Sequence, residues 1–256
     1  MVIAGATAPL LVVLALLGLV GGIGITAIGP GGVLPTIGLF ALTDLSPAAV
    51  AGTAIVTHVA TGVLGTAAFA RSGQLRESGT RRMALLLACT AVIGTPFGVL
   101  INTAVSKRVF GLVLGVFVAV AAALVWYRER HRPTTVQAHP STPLVAGLGL
   151  SVAIAAGVVG IGGPMLTVPL LIALGVPVLE SLASAQVQSI VIASVGTVGY
   201  LVSGTINWPL AVLVGIPELA GVLLGWKIAY ALSGRSLKYA LVVTLLALAP
   251  YLAFHG

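Results

Sequence analysis

Two residues inside long apolar stretches of the sequence could carry acid–base chemistry. His58 is the only histidine deep in such a stretch, and Glu218 is the only carboxylate near the middle of one. An ionisable group within a membrane span is a functional candidate by default, and imidazole titrates near neutral pH. Structural alternatives remain open: His58 as a hydrogen-bonded histidine, and Glu218 as a protonated side chain or a partner of Lys227. The functional alternatives are that His58 exchanges a proton or senses the charge of a ligand, and that Glu218 binds H⁺ or Na⁺.

Hydroxyl and amide side chains recur near His58 and in a second apolar segment. In segment 47–70 they lie about four residues apart, which places them on one helical face. The residues of both segments are Thr53, Thr57, His58 and Thr61 in the first, and Ser184, Gln186, Gln188 and Ser189 in the second. Hydroxyls often bond to their own helix, but the two faces together favour the lining of a cavity.

Two glycine clusters interrupt the apolar sequence. They are Gly29-x-Gly31-Gly32, followed by Thr36, and Gly160-x-Gly162-Gly163, followed by Thr167. Non-helical backbone survives at membrane depth only inside protein or beside water. A helix that begins after such a break presents free N–H groups and a partial positive charge, and glycine lets an anion approach closely. Close helix packing is the competing explanation. Repetition favours a shared binding site for a small oxyanion.

The composition identifies the class of protein that holds these residues. Of 256 residues, 59% are hydrophobic and 7% are charged, with a mean hydropathy of +1.18. The runs without Asp, Glu, Lys or Arg are 1–43, 45–70, 83–106, 109–127, 133–179 and 181–217. A spanning helix needs about 20 apolar residues. We therefore expect an all-α polytopic membrane protein, without the alternating pattern of a membrane barrel.

The basic residues do not indicate nucleic-acid binding, although the formal net charge is +7. Nine of the twelve Lys and Arg residues fall in three loops, as the positive-inside rule predicts. These residues are Arg71, Arg76, Arg81 and Arg82; Arg128, Arg130 and Arg132; and Arg235 and Lys238. No cofactor or metal motif is present, and we expect neither kind of ligand.

Loop signals divide the chain into ten apolar segments. They lie at about 9–28, 32–42, 47–70, 83–101, 108–127, 143–159, 163–174, 180–202, 208–230 and 237–254. Segments 32–42 and 163–174 are too short to span a bilayer as straight helices, so each is a broken or re-entrant helix or a part of a full crossing. A polar stretch at 127–142 separates repeat 1 (1–126) from repeat 2 (143–256).

The two halves are copies of one unit. A shift of 131 residues aligns 29–73 with the second half without a gap, and 11 of these 45 positions are identical. Thr36 falls on Thr167, and Thr53 falls on Ser184. With a small further shift, Ser106 and Arg108 align with Ser233 and Arg235. The register predicts two repeats of about five helical segments each.

The charges predict that the repeats have inverted topology, as in many secondary transporters. If loop 71–82 and the linker 127–142 are cytoplasmic, most basic residues lie inside. The uncharged loop 203–207 then lies outside and 233–238 inside, which requires an odd number of crossings per repeat. Both termini would be extracytoplasmic, and the protein would reside in the cell (plasma or inner) membrane.

The glycine breaks, the short proline-containing segments and the repeated Gly-Thr and Ser-Gly pairs resemble the TauE/SafE family of sulfite-exporter-like permeases. The resemblance covers nearly the whole chain. Pro30 departs from the family pattern, which often has Ile or Leu there. The resemblance implies transport of sulfite, organosulfonates or related sulfur oxyanions, and it does not fix the individual substrate.

The function predicted from the sequence is a secondary transporter that exports a small sulfur oxyanion by alternating access around the paired glycine breaks. No Walker motif is present, so a gradient must drive transport. A passive anion channel is the alternative. An intramembrane enzyme is disfavoured, because no G-x-S-x-G, HExxH or paired-Asp arrangement occurs. The expected partners are the anion, the lipid bilayer and H⁺ or Na⁺, and homo-oligomer formation is left open.

Overall fold

The computed structural model of the chain describes residues 8–130, 140–233 and 236. Nine α-helices account for most of the described residues, and no strand occurs among them. Six of these helices are long and apolar enough to cross a membrane. The prediction of an all-α polytopic membrane protein is confirmed. The helices are α1 (Ala8–Ala27), α2 (Val33–Leu42), α3 (Pro47–Arg71), α4 (Ser78–Thr103), α5 (Lys107–Arg130), α6 (Thr142–Val159), α7 (Pro164–Ala173), α8 (Val178–Val202) and α9 (Trp208–Ala231).

Two helix ends differ from the predicted segments. Helix α4 begins at Ser78, because the Glu77 carboxylate accepts hydrogen bonds from the backbone N–H groups of Gly79 and Thr80. A carboxylate at this position satisfies N–H groups that have no helical partner. Helix α5 continues to Arg130, into the predicted linker. The predicted tenth segment, 237–254, and positions 131–139 of the linker lie outside the described residues.

Each short helix folds back along the long helix that precedes it. Gly21 of α1 lies against Pro35 of α2, whereas Gly38, further along α2, lies against Leu17. The two helices therefore run antiparallel. In the second half, Leu171 near the end of α7 packs with Val145 near the start of α6. Both short segments are thus re-entrant helices, which return toward the end of the molecule from which the preceding helix came.

Glycine contacts join the two halves in the same way at two places. On α4, Gly94 and Gly98 lie against the backbone of Leu150 and Ile154 on α6. On α9, Gly221 and Gly225 lie against the backbone of Leu19 and Ile23 on α1. Leu150 and Ile154 are the residues that the 131-residue shift aligns with Leu19 and Ile23. Small residues at four-residue spacing allow such close approach between membrane helices.

Helices α3 and α8, whose sequences the 131-residue shift aligns, pack along each other in opposite directions. Gly65 of α3 lies against Gln186 near the start of α8, and Gly52 lies against Tyr200 near its end. Helix α9 runs parallel to α3, since Gly215 contacts Thr57 and Trp226 Nε1 donates to Ser72 Oγ at 3.1 Å. Helices α3, α8 and α9 thus bring the polar residues of both halves into the interior.

Candidate functional site

Each re-entrant hairpin turns at a tip that needs a left-handed glycine. We name these turns tip 1 (residues 28–32) and tip 2 (residues 160–163). Gly29 has φ 108° and Gly160 has φ 72°, values that side-chain-bearing residues rarely adopt. The N–H groups of Gly29 and Gly160 still bond to helix carbonyls, at 2.8 Å to Gly24 O and 2.9 Å to Ala156 O. Both glycines thus take a positive φ where α1 and α6 end, but the Gly29 N–H reaches back five residues and the Gly160 N–H four, so the two turns differ in detail.

The tips contact each other's hairpin. Gly29 of tip 1 lies against Pro164 and Val168 of α7. From α2, the Thr36 hydroxyl donates to the carbonyl oxygen of Gly160, in tip 2, at 3.5 Å. All residues of both tips are buried. The two breaks therefore meet inside the protein, with the amino-terminal ends of α2 and α7 close to each other.

The His58 side chain lies between the two tips. A Cβ atom added to Gly32 would lie 2.7 Å from His58 Nε2, and one added to Gly162 would lie 2.9 Å from His58 Cδ2. The Gly162 position is also close to the Ser189 hydroxyl, at 2.7 Å from such a Cβ. No side chain fits between the backbone and the imidazole at either glycine. The tips, His58 and Ser189 form one cluster, which we call the central site.

Glu218 completes the central site from α9. Its Oε1 atom lies 3.6 Å from His58 Nε2, and the two side chains are 0% and 1% exposed. His58 Nδ1 lies 2.8 Å from the Ala54 carbonyl oxygen. In contrast, His58 Nε2 and both carboxylate oxygens of Glu218 have no well-aligned hydrogen-bond partner, although the Thr57 hydroxyl lies beside the carboxylate. Buried polar atoms are normally paired, so these three unpartnered atoms mark a place where a further ligand or proton can bind.

Two of the predicted site residues lie away from the central site. Thr53 Oγ1 accepts a hydrogen bond from the backbone N–H of Asn207 at 2.9 Å, at the loop before α9. Ser184 Oγ donates to Thr80 O at 3.4 Å, near the start of α4. The hydroxyls of both residues thus bond to backbone near opposite ends of the helix pair α3–α8, where they join helices.

The two glutamines of α8 differ in how their amides are used. Gln188 Oε1 accepts from Thr167 Oγ1 at 2.5 Å, and Gln188 Nε2 donates to Gly149 O at 3.2 Å. This chain of bonds fixes tip 2, because Gly163 lies against the same amide. Gln186 donates to Ile25 O at 3.3 Å, and its Oε1 has no partner.

On α3, the Thr57 hydroxyl donates to the carbonyl oxygen of Ala54 in its own helix, at 2.9 Å.

The sequence profile of the family described as "Sulfite exporter TauE/SafE" matches residues 14–252. This chain belongs to the TauE/SafE family. The family is one of membrane transporters of the sulfite-exporter type, so the resemblance read from the glycine breaks is confirmed. Comparison of this TauE/SafE protein with curated proteins and with solved structures finds no match.

The contact between His58 and Glu218 is the feature of this TauE/SafE protein that its sequence did not reveal. The two residues are far apart in sequence and lie in different repeats, so no local motif joins them. One signal was available: each residue lies near the middle of its segment, at a similar depth. Lys227, the other candidate partner of Glu218, is exposed on the surface of the helix bundle.

Among the described residues, no group of three His, Cys, Asp or Glu side chains could hold a metal ion.

Proposed function

We propose that this protein is a secondary transporter that exports a small sulfur-containing oxyanion, such as sulfite or an organosulfonate. The observation that carries the proposal is the meeting of two re-entrant tips at one buried cluster. The N-cap positions of α2 and α7 are Gly32 and Gly163, so no side chain there hydrogen-bonds to the first N–H groups of either helix. Uncapped helix N-termini offer N–H donors and a partial positive charge to an anion.

The proposed anion site consists of the tips and the polar side chains around them. Backbone N–H groups bind the oxyanion at the two tips, and Ser189 supplies a hydroxyl. Gln188, Thr167 and Thr36 hold the tips in place through the bonds described above. The proposed binding set is Gly29, Gly31, Gly32, Gly160, Gly162, Gly163, His58 and Ser189, with Thr57 and Gln186 at its edge.

We further propose that the repeats are inverted and that transport occurs by alternating access. Two-fold rotation about an axis in the membrane plane reverses the direction of each helix, so equivalent helices that meet on the axis run antiparallel. The opposite directions of α3 and α8 support this arrangement. The hairpins α1–α2 and α6–α7, which enter from opposite ends of the molecule, support it as well.

The proposed orientation places the basic end of the molecule in the cytoplasm. The Ser72–Trp226 contact and the bond from Arg82 Nη2 to Thr142 Oγ1 at 3.0 Å bring three chain segments to one end. These segments are the loop after α3, the start of α6 and the end of α9. An excess of Lys and Arg marks cytoplasmic loops. The linker 127–142 would then be cytoplasmic, and the termini would be extracytoplasmic.

A flux assay with the purified chain in proteoliposomes tests the function. The panel contains sulfite, sulfate, thiosulfate, sulfoacetate and taurine, with one organic cation as a matched control. We expect saturable flux of at least one sulfur oxyanion and none of the cation. Preference for the cation would contradict anion binding by the helix ends. A passive channel predicts flux that does not saturate with anion concentration, and an enzyme predicts chemical change of the anion without flux.

A further inference from the structure

We propose that His58 and Glu218 form a single proton-binding site whose occupancy is linked to the anion, so that a proton and the anion are transported together. This inference rests on the proposed function and adds to it the identity of the coupling ion. The site is built from two helices of different repeats and lies next to both tips.

The hydrogen bond at Nδ1 fixes which nitrogen of His58 carries a proton. A carbonyl oxygen can only accept, so the contact with Ala54 O at 2.8 Å requires a proton on Nδ1. In neutral His58, Nε2 is then a bare acceptor that faces a carboxylate oxygen at 3.6 Å. Two acceptors that face each other in a buried space repel. The pair therefore requires a proton, on either Nε2 or the carboxylate.

No other titratable or charged group faces this pair from the described elements that pack against it. Helix α1, with Gly22 against the Glu218 backbone, has no titratable residue. The two tips have none either, and α8 contributes Ser189 and amides at this level. The His58–Glu218 pair is hence the only place near the anion site, among the described residues, where a proton can be gained.

The charge of the pair depends on how many protons it holds. With none it is −1, with one it is neutral, and with two it is +1. An anion at the adjacent tips is repelled by the first state and attracted by the last. Anion binding must then increase the proton affinity of the pair, and protonation must increase anion affinity by the same factor. Linkage of this sign moves the proton and the anion in the same direction. Export is then driven by the outward gradient of the anion itself, and each exported anion carries a proton with it.

The chemistry of the pair favours a proton over Na⁺. A hard cation needs several oxygen ligands, as Mg²⁺ and Ca²⁺ sites show. Glu218 supplies two carboxylate oxygens, but the group opposite them is an imidazole nitrogen, which suits a proton. Na⁺ coupling is retained as an outcome of the test.

The test uses proteoliposomes that contain a pH-sensitive dye, with the membrane potential clamped. Thiosulfate and sulfoacetate serve as substrates, because their charge is constant near neutral pH, whereas that of sulfite is not. Wild-type protein should acidify the lumen in step with anion entry, at about one proton per anion. The variant Glu218→Gln, which keeps the shape of the side chain, should lose this acidification by about tenfold or more.

The matched control is Glu180→Gln, which removes a carboxylate that bonds to Thr80 at 3.1 Å, away from the central site. It should retain the wild-type proton movement. If Glu218→Gln does not fold, His58→Gln should show the same loss. Anion flux without lumen acidification, flux that follows a Na⁺ gradient, or unchanged coupling in Glu218→Gln would each overturn this inference alone. Absence of any anion flux by wild-type protein would overturn the proposed function as well.

Discussion

The two repeats are alike in how they fold and different in what they place at the centre. In the first repeat α3 carries His58, and the 131-residue shift aligns this residue with Ser189 of α8. The shift of 127 residues that aligns Ser106 with Ser233 also aligns Ala91 of α4 with Glu218 of α9. The contact between α3 and α9 thus holds an ionisable pair, whereas the equivalent helices α8 and α4 carry a serine and an alanine.

This difference separates the scaffold from the chemistry. The tips, the glycine contacts and the re-entrant helices occur twice, and in the proposed function both copies are needed to enclose one anion. A single proton site needs one ionisable pair, and a second pair at the equivalent place would add another buried group whose charged form is costly. In the proposed mechanism, the part of the fold that occurs twice provides binding, and the one ionisable pair that occurs once provides coupling.

The largest expected effect comes from removing one member of the ionisable pair. Glu218→Ala and His58→Ser should each lower the free energy of unfolding by about 3 kcal/mol, because each removes one side of the His58–Glu218 contact and leaves the other ionisable group buried alone. The double variant should lose less than the sum of the two, since both members of the pair are then absent. Thermal and denaturant unfolding in detergent measures the cycle. Strictly additive losses would show that the two side chains do not interact.

The second-largest effect is expected at Gly32, and Gly163, which the 131-residue shift aligns with it, is the comparison. A methyl group at Gly32 would lie 2.7 Å from His58 Nε2, whereas one at Gly163 would lie 3.1 Å from Gln188 Oε1. Gly32→Ala should therefore displace His58 and reduce anion flux by about a hundredfold. Gly163→Ala should have a clearly smaller effect. Equal losses in proteoliposome flux would indicate that the two tips contribute equally and that His58 adds nothing.

A smaller effect is expected at Ser189, the counterpart of His58. Ser189→Ala removes a neutral hydroxyl, which contributes about 1 kcal/mol as a hydrogen-bond donor, so flux should fall about fivefold. The pH dependence of thiosulfate flux should keep its wild-type shape, because serine does not titrate near neutral pH. A shifted pH profile in Ser189→Ala would show that the proton site is not confined to His58 and Glu218. His58→Gln is the contrasting variant, and its profile should become flat.

The smallest effect is expected at Thr53, whose hydroxyl bonds to the loop before α9 near one end of the helix pair α3–α8. Thr53→Val removes the acceptor for Asn207 N–H and should lower the free energy of unfolding by about 1 kcal/mol. Anion affinity and proton coupling should not change. A weakened anion affinity in this variant would return Thr53 to the binding site that the sequence predicted.

The sequence was sufficient to predict the helices and the breaks, for physical reasons. Long charge-free runs have no stable position except in a bilayer, and glycine clusters within them can be tolerated only in a protected interior. The start of α4 was predicted five residues late, because the charged residues 81 and 82 look like loop. The carboxylate cap of Glu77 extends the helix through them.

The composition of the central site could be predicted only in part. The tips, His58 and Ser189 meet as their register suggested. The hydroxyls of Thr53 and Ser184 share a helix face with them but bond to backbone near the ends of the helices. The spacing of polar residues predicts which of them share a helix face. It does not predict where along that face a neighbouring helix or loop supplies a hydrogen-bond partner. The pairing of Glu218 with His58 depends on how α9 docks on α3, and this docking is a property of the assembled fold.

The glycine contacts between α1 and α9, and between α6 and α4, have a consequence for motion. Each joins a helix of the first half to a helix of the second through backbone atoms. Neither half can therefore move as an independent body without separating these two close-packed helix interfaces. In the proposed alternating access, the moving units would therefore be mixed, one built around α1, α2 and α9 and the other around α4, α6 and α7. His58 and Glu218 sit where α3 meets the first of these units, so under this proposal a change in their protonation acts at the boundary between α3 and a moving part.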